Sequence, residues 1–262
     1  MATADRADSI VTLVGLGALA YVCETVGHEL LGHGSACLLS GGQISALAPL
    51  FMRCSVDSIP MVAAGPAFNL FAAGVFALII QLRPRGDALT YFLWLSCAFN
   101  LLVACGYLIV GGATTFGDWG VVFASTAPQW FWRLAVIIIG LGGYVFGLWG
   151  LAQLYAKIAG LEGFNGAILL RRTLLPGISA AIVACTAELA GGRLGVASLP
   201  LVLGCTLFVG WSLSRIGQFR PGTGKVQDSK LVVPFSSSWL IAATIASLIF
   251  VGFLGPVALQ PG

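Results

Sequence analysis

Charged side chains are scarce in this chain. Asp, Glu, Lys and Arg make up 9% of 262 residues, against about 25% in an ordinary soluble domain. With 58% hydrophobic residues and a mean hydropathy of +0.96, the chain cannot cover a surface in water. A water-soluble globular domain is therefore excluded, and lipid is the solvent. Histidine is scarcer still, with two residues. The sequence has no Gly-rich phosphate loop, basic stripe, internal repeat or low-complexity tract, which argues against nucleotide and nucleic-acid partners. The seven cysteines (Cys23, Cys37, Cys54, Cys97, Cys105, Cys185 and Cys205) form no C-x-x-C pair. They are expected to be small apolar packing residues.

What the chain has instead is long apolar runs. A helix needs about 20 apolar residues to cross a bilayer. Spans are expected at 10–39, 60–82, 88–112, 130–156, 174–191, 194–213 and 237–258, with six spans and a re-entrant pair as the alternative. The expected class is an all-α polytopic membrane protein of six to seven transmembrane helices, forming a single transmembrane domain over 1–262. The start, "MATADRADS", is mixed in charge and the following run is long, so the first span is expected to be uncleaved.

Alternating seven spans puts Arg6, Arg83, Arg85, Lys157, Arg171, Arg172, Arg215, Arg220, Lys225 and Lys230 on one side, here side A. Side B keeps Arg53, Arg133 and Arg193. Basic loops stay cytoplasmic, so the amino terminus is expected in the cytoplasm.

Between the first two spans, residues 43–57 alternate. Ile44, Ala46, Ala48, Leu50, Met52, Cys54 and Val56 interleave with a more polar set, a period of two that predicts extended strand. Pro49 suggests a bend or edge position. The segment "GGATTFGDWGVVFASTAPQW" is expected to be a loop on side B, and 157–173 and 214–236 loops on side A. Gly143 and Gly147 have G-x-x-x-G spacing, a close-packing face within the chain or between chains of an oligomer.

Both histidines lie in "HELLGH", as His28 and His33, with Glu29 directly after the first. Ionisable residues within a span mark function or pairing, and two of two histidines flanking a glutamate favour a metal over satisfied structural residues. Catalytic zinc takes three protein ligands plus a water, and a neighbouring carboxylate can take that water's proton. On an ideal helix, residues five apart are rotated by about 140°, whereas residues four apart differ by about 40°. One π-bulge would absorb the extra residue and restore the shared face, and Gly32 would ease the distortion. The third ligand must then be a carboxylate or, less favourably, a cysteine. Asp118 comes first, flanked by Gly117 and Gly120; Glu188 is second and Glu24 third, with Asp57 also plausibly placed. The bland reading of Glu24 is an internally hydrogen-bonded carboxylate.

The hexapeptide resembles, letter for letter, the metal motif of the dipeptidyl peptidase III family, in which both histidines bind zinc despite the additional residue. A wider resemblance is to the site-2 protease family of intramembrane zinc metalloproteases. It rests on "HELLGHG", the alternating stretch 43–57, "AAGPAFNLFAAG" and "FGDWG", in that order over about the first 120 residues. The resemblance implies a metalloprotease core over 1–120 with additional helices over 121–262. It also implies zinc held by His28, His33 and Asp118, Glu29 as general base, and Gly65, Pro66 and Asn69 in support of site and substrate. The partners implied are membrane protein or peptide substrates in the lipid bilayer. In that family the site opens toward the cytosol, whereas the charge count puts side B outside. Two other functions use the same residues: a catalytically inactive relative serving as an accessory or assembly subunit, and a metal-handling membrane protein.

Overall fold

The fold was obtained as a computed structural model, which describes residues 8–56, 58–114, 116–124, 127–160, 165–196, 198–219 and 230–254. Helix α1 covers Ile10–Leu39, and a two-stranded antiparallel hairpin follows, β1 (Ile44–Ala48) and β2 (Phe51–Cys54). The remaining helices are α2 (Ile59–Leu82), α3 (Ala88–Ala113), the short α4 (Gly117–Ala124), α5 (Gln129–Ala159), α6 (Gly166–Ala190), α7 (Ser198–Ser214) and α8 (Ser237–Leu254). Six of these are long and apolar enough to cross a membrane, and α7 is a shorter apolar helix. The chain is a multi-pass, all-α membrane protein with a small β element after its first helix.

Polar residues set the helix starts. Ser9, Ser58, Asp87, Asn165 and Ser236 each cap a helix by accepting from a backbone N–H in its first turn. The apolar faces meet in one core that includes Tyr21, Trp94, Phe99, Tyr155 and Phe250. Gly140, Gly143 and Gly147 of α5 lie against Cys105 and Leu101 of α3, where an added Cβ would come within 2.9–3.1 Å of a neighbouring atom. The G-x-x-x-G face therefore packs within the chain.

The two ends of the bundle differ. At one end the amino-terminal segment, the α2–α3 turn, the end of α5 and residues 230–233 are joined by backbone bonds: Ser9 to Val233, Val232 to Gly86 and Lys230 to Ala159. This is side A as read from the sequence. Helix α7 runs antiparallel to α6, with Gly210 against Thr173 and Gly177, so it returns the chain from the far end to side A. At about 25 Å for 17 residues it is slightly short of a full crossing.

Several expectations are corrected. Helix α6 begins at Gly166, not 174, so Arg171 and Arg172 lie in the helix rather than in a loop. Arg172 can be buried because Asp8 neutralises it at 2.7 Å and Tyr155 and the Leu231 carbonyl accept further N–H groups. The stretch 111–130 is not all loop, because α4 forms within it. Residues 255–258 of the last expected span lie outside the described residues. Cys37 and Cys54 are not simple packing residues but a disulfide joining the end of α1 to β2. The hairpin folds back onto α1, and Gly42 leaves room for the sulfurs: a Cβ there would lie 2.5 Å from Cys54 Sγ.

Candidate metal centre

The middle of the first helix is not α. Residues Gly27–Gly34, which contain the whole hexapeptide, form a π-helix between two α segments. The expected single bulge is thus an eight-residue π segment, and its wider turn puts residues five apart on one face. His28 Nε2 and His33 Nε2 are 3.2 Å apart. Gly32, within the π segment, also has a packing role. A Cβ there would lie 2.6 Å from Gly65 Cα, and one at Gly27 would lie 2.5 Å from Phe68. These glycines let the π segment press directly against α2.

Asp118 completes the cluster. Its Oδ2 lies 3.1 Å from His28 Nε2 and its Oδ1 3.3 Å from His33 Nε2. Gly117 enters α4 with a left-handed φ of 76°, and Gly111 of α3 admits the backbone of Gly120. Arg133 donates to the carbonyls of Gly112 and Ala113 at 2.8 Å, closing the end of α3 just before that turn. Burial pushes the Asp118 carboxyl up, but hydrogen bonds and charge from the two histidines outweigh it and hold it at about 2.

The donor set fits a divalent zinc-type metal. One ligand atom from each of the three residues falls within a group no more than 4.8 Å across. Tetrahedral ligands about 2.05 Å from zinc would be separated by about 3.3 Å; His28 Nε2 and His33 Nε2 lie 3.2 Å apart, and each faces a different oxygen of Asp118. Gly65 makes the space: a Cβ on it would sit 2.4 Å from His33 Nε2 and 2.7 Å from His28 Nε2. His33 Nδ1 donates to the Met61 carbonyl at 2.9 Å, which fixes the tautomer with Nε2 free to ligate. The ring of His28 stands edge-on to Tyr107, centroids 5.5 Å apart.

Glu29 is buried beside the histidines, with Oε2 lacking a hydrogen-bond partner among the described residues. The four side chains line a cavity of about 330 Å³ whose walls include Leu50, Phe51 and Met52 of the hairpin, Met61 and Val62 of α2, and Tyr107. The cavity lies at the hairpin end of the bundle, with residues 50–52 in its wall.

The other sequence candidates fall elsewhere. Glu188, the second choice of ligand, is paired with Arg193 at 3.3 Å and is not part of the cluster. The pairing follows from the tight α6 terminus, which turns Arg193 back onto its own helix. Glu24 accepts from Asn69 at 2.8 Å and from Thr25 at 3.1 Å, so it is an internally bonded carboxylate. Asn69 is thus tied to Glu24, one turn before His28. Pro66 lies inside α2 beside Gly65. Asp57 lies outside the described residues. The sequence reading missed Tyr107, Phe51 and the Met61 carbonyl. A tyrosine in mid-span was a usable signal for the first, whereas a backbone carbonyl has none.

No protein-family model, curated protein or solved structure matches the chain. The functional reading therefore rests on the site.

Proposed function

We propose that the chain is a zinc-dependent intramembrane metalloprotease that hydrolyses peptide bonds of membrane-associated proteins, as its resemblance to the site-2 protease family implies. The observation that carries this reading is the convergence of His28, His33 and Asp118 with an unpaired, buried Glu29 on one cavity. A structural metal site would have no use for that carboxylate.

His28, His33 and Asp118 would hold the metal, which when bound supplies Lewis-acid polarisation of a carbonyl and makes water more acidic. Glu29 would accept the proton of the attacking water on its free oxygen and pass it to the leaving amine nitrogen as the C–N bond breaks. Met61 holds His33 by its carbonyl, and the Tyr107 ring limits the rotation of His28. The hairpin forms one rim of the cavity. Its two-stranded sheet suits an extended substrate segment bound by strand addition, and an extended segment exposes its peptide bonds where a helix hides them.

Glu29→Gln tests the reading, with zinc content and cleavage of apolar peptides measured on the same purified protein in lipid nanodiscs. Retained zinc with cleavage lost is the expected result. Full cleavage by the variant would remove Glu29 as the base. A zinc-loaded wild-type protein with no hydrolysis of any peptide would favour the accessory-subunit or metal-handling reading.

A further inference from the structure

The compartment that the cavity faces can be argued from two features at opposite ends of the bundle. At side A, the end joined by Ser9, Gly86, Ala159 and Lys230–Val233, the described basic residues are Arg83, Arg85, Lys157, Arg171, Arg172, Arg215 and Lys230. At the cavity end they are Arg53, Arg133 and Arg193. Seven against three, counted near the span ends, places side A in the cytoplasm, and five against three remain when Arg171 and Arg172, which lie inside α6, are left out.

The second feature is the disulfide. Cys37 lies in the last turn of α1 and Cys54 ends β2, so the bond clamps the cavity's rim to the helix that carries His28, Glu29 and His33. Gly42 gives it a dedicated recess, since any Cβ there would meet both sulfurs, at 2.5 and 3.0 Å. Such a bond persists in oxidising compartments and is rare where thiols are kept reduced. Sulfur chemistry at one end and charge at the other are independent, and they give the same orientation.

We infer that the cavity holding His28, Glu29, His33 and Asp118 opens onto the oxidising, non-cytoplasmic side of the membrane, and that its substrates are extended segments of membrane proteins presented from that side. This builds on the proposed protease function and reverses the cytosolic opening that the family resemblance implies. The rim residues Leu50, Phe51 and Met52 stand between the two cysteines in sequence, so the clamp holds the part of the cavity that a substrate would meet first.

Two measurements on the full chain test the inference. Denatured protein is tagged with a mass-shifting maleimide before and after reduction; five free thiols are expected before and all seven after. Separately, Val196→Cys and Arg85→Cys are probed in right-side-out membrane vesicles with an impermeant maleimide, against the wild-type background. Val196 is 94% exposed in the turn at the cavity end, and its variant should label directly. Arg85→Cys should label only after permeabilisation. Seven tags before reduction, or the opposite labelling order, would overturn the inference. Zinc content of the same wild-type preparation tests the protease reading separately. A metal-free protein with an oxidised pair sinks the protease and leaves the orientation standing; a zinc-loaded protein with seven free thiols does the reverse.

Discussion

Gly65→Ala is the most economical perturbation of the site, because it adds one methyl group and removes nothing. The new Cβ would lie 2.4 Å from His33 Nε2 and 2.7 Å from His28 Nε2. Ordinary contact is about 3.5 Å, so at least one imidazole must retreat by about 1 Å. Neither has freedom to do so at no cost: His33 is tied to Met61 by its other nitrogen, and His28 abuts Tyr107. Ligand distances in a metal site tolerate about 0.2 Å, so the displacement exceeds the tolerance several-fold. Loss of a mere outer-shell partner costs about 10–100-fold in metal affinity. Moving a ligand itself should cost at least about 100-fold, or about 2.8 kcal/mol. The assay is competition for zinc against a chromophoric chelator, with protein in nanodiscs. Gly74→Ala is the control on the same helix, because nothing lies within 4 Å of its added Cβ. It should leave zinc affinity unchanged, and helix propensity favours the alanine by up to about 1 kcal/mol. Equal zinc affinity in the two variants would refute the placement of the metal between the histidines.

Two further substitutions bear on the ligand set and the π segment. Asp118→Ala should lose zinc while Glu188→Ala keeps it, read by metal analysis of purified protein; the opposite result moves the third ligand to α6. Deleting Leu31, which is exposed on the outer face of the π segment, turns H-E-L-L-G-H into H-E-L-G-H. The segment should then close to regular α geometry, where residues four apart share a face, and zinc should be retained. Loss of zinc from that otherwise folded variant would show that the π geometry itself is needed for binding.

The helices and the site differed in how much of them could be read from sequence. Long apolar runs mark most helices, because lipid demands them and few soluble folds supply them. Span ends were less legible where a charge is neutralised by a distant residue. Arg172 looked like a loop residue because its partner Asp8 is 164 positions away. Helix α4 was invisible for a related reason: it starts at Gly117 in a stretch rich in glycine and threonine, and packing through Gly111 and Gly120 stabilises it. The π segment could be anticipated because the chemistry required His28 and His33 on one face. Its length could not, because that depends on how closely α1 approaches α2. The disulfide was missed since Cys37 and Cys54 become neighbours only when the hairpin turns back.

Burial itself separates structural from chemical roles among the ionisable residues. Removing a charged or polar group from water into a span costs free energy unless a partner compensates it. Glu24 has Asn69 and Thr25, Glu188 has Arg193, and Arg172 has Asp8, Tyr155 and the Leu231 carbonyl. In each, sequence-distant or local partners absorb the cost, and the group braces the fold. Glu29 is as deeply buried as Glu24 yet keeps one oxygen unpaired, and His28 keeps Nδ1 unpaired a residue away. Unpaired buried polar atoms also occur on Asn69, Ser96, Asn100, Trp119 and Arg171, so it is the place of Glu29 on the cavity that sets it apart. An unpaired carboxyl oxygen on the cavity that His28, His33 and Asp118 also line is the arrangement that the proposed proton transfer would use.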